Sequence, residues 1–361
     1  MGESGGFSGR PALAAITLKQ GGDGVAYAGL LLERALSTIA NEDVPVLELA
    51  SAMPTHPTML EQARFTARLG YAQLRDRSRF WMFNHVGIAR AQNVVPSFVR
   101  RPYGVLLCGI EAWDPALSNE RLTTLRRATA RIAISRHTAN RVTQVHGGIG
   151  PIVACPLALL PAPSYTTTLD HALLGQIRDL SVLIVGRMSA AERYKGHDEL
   201  LECWSAVMAA VPGAQLVIAG QGDDVTRLRA KSESLGLAQN VLFLGFVGDA
   251  TLEAVRERVA MFALPSRGEG FGLVYLDAMR AGLACIGGAG DASADVIVDG
   301  ETGTLVDPED RAALAASIIA LLTSPARRAA YGEAGKRRFE AEFTFERYCD
   351  RLRPILADAF L

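Results

Sequence analysis

Two stretches carry the residues best suited to chemistry. In the first, residues 264–288 (LPSRGEGFGLVYLDAMRAGLACIGG), an apolar run ends at Leu264, a glycine-rich turn holding Glu269 follows, and a helix is expected to begin at Phe271 or Gly272. Glycines let a backbone approach a ligand closely, and the free N–H groups of a helix N-terminus bind anionic groups such as a pyrophosphate. Glu269 beside such a site would repel phosphate, so its carboxylate is suited to accepting hydrogen bonds from neutral hydroxyls, which a sugar offers. Asp277 follows eight residues later, about two helical turns, which puts a second carboxylate near the same face.

In the second, residues 185–204 (VGRMSAAERYKGHDELLECW), a buried strand emits Gly186-Arg187, a polar loop follows, and Lys195-Gly196 opens a helix with Asp198 and Glu199 in its first turn. Either cation alone is an ordinary surface charge. Paired at a strand's carboxyl end before a helix start, Arg187 and Lys195 are placed to neutralise a diphosphate and to stabilise it as a leaving group.

These residues need strands to carry them and helices to receive them. Short apolar runs bounded by Gly, Pro or Asn alternate with segments of helical period, the pattern of parallel βαβ units with both sheet faces covered. One series of expected strands covers 12–18, 44–49, 80–83, 104–107, 131–135 and 152–155; a second covers 181–185, 214–219, 241–244, 261–264, 284–287 and 303–306. A Pro/Ser/Thr-rich linker over 156–168 separates them. The fold expected is α/β, with two Rossmann-like, doubly wound parallel-sheet domains facing each other across a cleft, and with ligands at the strands' carboxyl ends. The domains expected are 1–165, 170–345 and a closing helical segment 346–361.

The 361 residues, 49% hydrophobic and 21% charged, suffice for two buried cores and exclude a disordered or fibrous chain. Five cysteines without a C-x-x-C or a Cys/His cluster fit a reducing compartment and no structural metal. The N-terminus lacks the pattern of a secretory leader and no run of 18 apolar residues occurs, so a soluble cytoplasmic protein is expected. The net charge of -1 hides an asymmetry: up to Tyr165 there are 17 basic and 11 acidic residues, and beyond it 20 and 27. Arg64, Arg68, Arg75, Arg77, Arg79, Arg90, Arg100 and Arg101 face only Glu61 and Asp76 across residues 61–101. Two readings stand: solvated helix faces, or a surface for anionic lipid or phosphate that would bring the chain peripherally to the inner face of a membrane.

The C-terminal half resembles glycosyltransferase family 4, a family of retaining enzymes of the two-domain GT-B type. The likeness is strong over 181–322 and weak before it. It rests on Gly186, Arg187 and Lys195, on Gly220-Gln221-Gly222, on PSRGEGFGLV and on DGETGTLVDPED. By resemblance, Arg187 and Lys195 bind the donor diphosphate and Glu269 the donor sugar's hydroxyls. The backbone of Gly270, Phe271, Gly272, Leu273 and Val274, together with the Gly220 loop, borders the donor, and the main chain at Phe246 and Val247 reads its base. The family's E-x7-E signature ends here in Asp277, expected at the ribose.

In the N-terminal half, Gly21 and Gly22 of LKQGGDGVAYAGLL resemble the family's first glycine loop, bordering donor sugar and acceptor; a plain strand-to-helix turn is the other reading. His85 in FNHVG resembles the cleft histidine that contacts the donor sugar, and a structural histidine is its alternative. Ser135 and Arg136 end another strand, and His137, His146 and His171 are read as surface residues.

The resemblance implies transfer, with retention, of a hexose from a UDP- or GDP-sugar to a glycan, lipid-linked or small-molecule acceptor, in polysaccharide or glycoconjugate biosynthesis. No cofactor beyond the donor and no nucleic-acid partner is implied. No D-x-D occurs, so the sequence shows no carboxylate pair to hold a metal against the diphosphate. The acting residues expected are Glu269, His85, Arg187 and Lys195. The other readings are a nucleotide-sugar epimerase of the same architecture, a retaining phosphorylase, and a non-catalytic glycan-binding protein.

Overall fold

The computed structural model describes residues 9–19, 24–49, 57–161 and 169–361. The chain divides into two compact units, Met1–Leu160 with Phe343–Leu361, and Pro161–Glu342. Gly21, Gly22 and most of the expected linker lie outside the described residues.

The first unit is built on β1 (Pro11–Ala15), β2 (Val46–Glu48), β3 (Phe80–Phe83), β4 (Tyr103–Leu107), β5 (Ala130–Ala133) and β6 (Val153–Ala154), paired in the order β2-β1-β3-β4-β5-β6. Every pairing is parallel. All residues of β1, β3, β4 and β5 are buried, which is why β1, β3 and β4 read as apolar runs, whereas β5 buries Arg131 as well. β1 was expected to reach Leu18 but ends at Ala15. Beyond it, Ile16 N–H donates to Asn84 Oδ1 (3.1 Å) and Leu18 N–H to Glu48 Oε2 (2.9 Å), so side chains rather than a neighbouring strand take the backbone. The strand order reverses between β1 and β3, the position where open α/β sheets bind ligands.

The helix Met59–Arg75 starts at a capping box, Thr58 with Glu61, and buries only Phe65, Leu69 and Gln73. The C-terminal helix Phe345–Phe360 belongs to this unit. Its Phe360 ring stacks on Phe80 at 4.0 Å, Arg351 Nη2 donates to the Pro156 carbonyl (2.9 Å), and Leu159 N–H donates to the Phe343 carbonyl (3.0 Å).

The second unit holds β7 (Ser181–Val185), β8 (Gln215–Ala219), β9 (Val241–Gly245), β10 (Met261–Leu264), β11 (Cys285–Gly288) and β12 (Gly303–Val306), all parallel, in the order β12-β11-β10-β7-β8-β9. Its reversal falls between β7 and β10. The strands that emit Arg187 and Glu269 are therefore neighbours. All twelve expected strands are present.

Candidate functional site

At the carboxyl end of β7, Gly186 and Arg187 lead into the turn of 3-10 helix Ala190–Lys195, then Gly196 and the helix His197–Ala210. At the carboxyl end of β10, residues 265–272 lead to the helix Leu273–Arg280. Backbone and side chain fasten the two connections together. Arg267 N–H donates to the Tyr194 carbonyl (2.9 Å), and Lys195 Nζ meets Glu269 Oε1 at 2.8 Å. Both partners of that pair are largely buried. Burial works against the Lys195 charge, but the Glu269 carboxylate, through its field and its hydrogen bond, outweighs this and raises the lysine pKa. The Glu269 main chain is fixed as well: its N–H donates to Asp291 Oδ2 (2.9 Å) and its carbonyl accepts from Ala292 N–H (3.2 Å).

The helix begins at Leu273, later than expected, because Gly272 sits at φ +89° and cannot belong to a right-handed helix. The N-cap Gly272 offers no side chain to cap this terminus, and although Tyr275 N–H turns back to the Gly272 carbonyl (3.0 Å), the N–H groups of Leu273 and Val274 are placed to meet an anion. The late start also corrects the relation of Glu269 to Asp277, since only the last part of that interval is helical. Asp277 instead joins a cluster of its own: Arg280 Nη2 lies 3.0 Å from Oδ1, Arg256 Nη2 lies 3.5 Å from Oδ2, and Glu253 pairs with both arginines. Burial raises the Asp277 pKa and the two arginines oppose it.

Arg187 is mostly exposed and pairs with Glu192. Gly220 ends β8 at φ +141°, where a Cβ would fall 2.0 Å from the Gly186 carbonyl oxygen, so only glycine lets β8 leave beside the Gly186-Arg187 turn. Phe246 is exposed and Val247 half-buried just after β9. Phe271 is buried, and Gly270, Leu273 and Val274 are partly accessible. The structure thus brings Lys195, Glu269, Gly270, Phe271 and Gly272 together, with Arg187 and Gly220 on the adjoining turns, and sets Asp277 in a separate ion-pair cluster.

In the first unit, His85 caps the short helix Val86–Ala89 by accepting the Gly87 N–H on Nδ1 (2.9 Å), which puts the proton of the neutral ring on Nε2. Ser135 caps the helix Arg136–Val145 through Thr138 N–H (2.9 Å), and Arg136 is exposed. His171 is exposed and His137 half-buried with its ring against Trp113, but His146 is buried at the C-terminus of that helix, contrary to its reading as a surface residue. The helix turns its apolar stripe inward and carries the imidazole with it.

Several residues with evident structural purpose carry no sequence signal. Asp291 holds Glu269. Asp224 receives Arg193 through two hydrogen bonds (3.1 and 2.9 Å) and anchors the turn that presents Lys195. Fully buried Asn84 spans from Ile16 N–H to the Val25 carbonyl (3.4 Å). His197, buried behind Gly186, has its pKa lowered to about 4, mainly by burial and then by Lys195.

No helix among the described residues is long and apolar enough to cross a membrane, and among them no group of three or more His, Cys, Asp or Glu could hold a metal ion.

The architecture is the GT-B fold. Over nearly its full length the chain is similar to sucrose-phosphate synthase of Thermosynechococcus elongatus (TM-score 0.78, 19% identity, 97% of this chain and 99% of that one). It is similar to the Anabaena protein HepE in complex with UDP as well (TM-score 0.74, 17% identity, 96% and 100%). Residues 178–338, a little under half of the chain, match the family model described as Glycosyl transferases group 1. Curated relatives match part of the chain. A GDP-mannose-dependent monoacylated alpha-(1-6)-phosphatidylinositol monomannoside mannosyltransferase of Corynebacterium glutamicum is 36% identical over 169 residues, 45% of this chain and 44% of that protein. A lipopolysaccharide core mannosyltransferase of Rhizobium leguminosarum is 35% identical over 144 residues, 40% and 39%. The chain thus covers less than half the length of these relatives.

Proposed function

We propose that the protein is a retaining glycosyltransferase that moves a hexose from a nucleotide-sugar to a lipid-linked acceptor without a divalent metal ion. The observation that carries this reading is the Lys195–Glu269 pair beside the uncapped helix Leu273–Arg280, which sets a cation, a hydroxyl acceptor and free N–H groups on connected turns. Lys195, Arg187 and the helix N–H groups meet the donor diphosphate and stabilise it as the C1–O bond breaks. Glu269 accepts hydrogen bonds from the sugar hydroxyls. The acceptor oxygen bonds to C1 on the face the diphosphate leaves, and its proton passes to the departing phosphate oxygen. The named activities of the mannosyltransferase relatives support a GDP-linked hexose and a glycolipid acceptor, and the UDP complexes of HepE support a nucleotide-sugar donor. The test is to incubate the protein with a panel of GDP- and UDP-hexoses, with and without EDTA, and follow release of sugar. Release from at least one donor, unchanged by EDTA, is expected. Interconversion of donors would turn the reading to an epimerase, and a strict need for Mg or Mn would defeat the cation clamp.

A further inference from the structure

The Lys195–Glu269 pair has a counterpart of opposite polarity. Four residues after Lys195, in the first turn of the helix His197–Ala210, comes Glu199, and two residues before Glu269 on the other connection comes Arg267. Arg267 Nη2 lies 3.1 Å from Glu199 Oε1. Each connection therefore offers the other one cation and one anion: Lys195 and Glu199 after β7, Glu269 and Arg267 after β10. A slip of one turn along the other would bring Arg267 toward Lys195 or Glu269 toward Glu199, like charge to like. Two crossed pairs thus fix a single register, where one pair would fix only a contact.

The Glu199 side chain is only 2% exposed, and its Oε2 has no hydrogen-bond partner among the described residues. Burial pushes its carboxyl up, opposed by its own N–H and by Arg267 and Arg311. A buried carboxylate so incompletely met adds little net stability over an apolar side chain, so the geometry it imposes accounts for it better. Its two arginines are not equivalent. Arg311, 3.5 Å from Glu199 Oε1, opens the helix Arg311–Leu322 and also pairs with Glu202 at 2.6 Å. Arg267 sits in the turn that carries Glu269, and beside it Gly268 lies so close to the Tyr194 ring that a Cβ would stand 3.2 Å from Cδ2. The other partner of Arg267, Glu309 at 3.3 Å, is exposed, and such a pair holds little.

Under the reading proposed above, donor binding takes Lys195 to the diphosphate and Glu269 to the sugar hydroxyls, which parts the pair that joins the turns in the free protein. That reading gives Glu199 and Arg267 no contact with the donor. We propose that Glu199 is a positioning residue which, through Arg267, keeps the Glu269 turn in place when Lys195 and Glu269 separate. The consequence for transfer rests on the proposed function, but the fastening itself is measured without any donor.

Glu199→Gln would release Arg311 as well, so the variants are made at the arginines. Hydrogen exchange of residues 266–272 is followed in the ligand-free chain, with Lys195→Met standing for the parted pair. Adding Arg267→Met should speed exchange at least tenfold over Lys195→Met alone. Adding Arg311→Met, which takes the other arginine from the same carboxylate, should stay within threefold, and Arg267→Lys should keep most of the protection. In the chain with Lys195 intact, Arg267→Met should lower kcat/KM for sugar release at least tenfold while GDP and UDP bind within threefold of the parent, and Arg267→Lys should recover most of the loss. Exchange unchanged by Arg267→Met, exchange raised as much by Arg311→Met, or kcat/KM left intact would overturn the proposal. Faster exchange in Arg267→Met, with no donor turned over even by the parent, would support the fastening and defeat the donor-site reading instead.

Discussion

Around the candidate donor site the second unit pairs its charges: Lys195 with Glu269, Arg193 and Arg227 with Asp224, Lys231 and Arg227 with Asp198, Arg256 and Arg280 with Asp277. In the first unit Arg64, Arg68, Arg75, Arg77, Arg79, Arg100 and Arg101 form no ion pair among the described residues. The paired set holds loops in a fixed geometry, as the proposed binding of a diphosphate and a sugar would require. The unpaired set leaves an excess of positive charge on the first unit, which an anionic partner, if the proposed lipid-linked acceptor is one, would meet.

The paired side breaks most severely at Lys195. Lys195→Ala removes the cation and leaves Glu269 buried without its partner. A fall of about 10²–10³ in kcat/KM is expected, the range for losing one preorganised charge-stabilising donor. A tenfold change or less would show that Arg187 and the helix terminus suffice.

His197 sharpens the comparison through pH. Its folded pKa of about 4 lies below the ordinary value near 6.5, so the folded state holds the neutral ring. This stability is fully present above pH 6.5 and is lost as pH falls toward 4, by about 3 kcal/mol at 1.36 kcal/mol per unit. Denaturant unfolding of the parent and of His197→Phe at pH 7 and pH 4 should show that much less pH dependence in the variant. Identical dependence would mean that the ring is hydrated.

Asp277 is the next in size. Asp277→Ala leaves the buried Arg256 with only Glu253, and a stability loss of about 1–3 kcal/mol is expected, with nucleoside diphosphate affinity nearly unchanged. Equal weakening of nucleotide-sugar and nucleoside diphosphate, without loss of stability, would put the carboxylate on the ribose instead.

The unpaired side should show the smallest effect, a salt-sensitive association with anionic vesicles. Binding should fall as salt rises from low ionic strength, where screening extends to about 30 Å, to physiological strength, where it is about 8 Å. Equal partition onto neutral and anionic vesicles would assign the arginines to solvation alone.

The strands were legible because a fully buried parallel strand must be an apolar run, as β3 and β10 are, and its ends must turn at Gly, Pro or a polar residue. The grouping of Lys195 with Glu269 was legible because each sits on a motif at a strand end. Asp291 and Asp224 were not, because a single polar residue in a loop takes its meaning from partners far along the chain. The ion pairs of Asp277 were not legible either, because Arg256 lies in another helix and the count of helical turns from Glu269 runs through Gly272, whose positive φ breaks it. His146 was misread because polarity alone does not say which face of a helix is turned inward.

The most direct test of the central claim, that the Glu269 carboxylate holds the donor sugar, is sugar transfer or donor hydrolysis by Glu269→Gln beside calorimetric binding of the nucleoside diphosphate. The account predicts a loss of about 1.5–3 kcal/mol in transition-state stabilisation, roughly tenfold or more in kcat/KM, with nucleoside diphosphate affinity and thermal midpoint nearly preserved. A variant that keeps at least half of the parent's kcat/KM would contradict it.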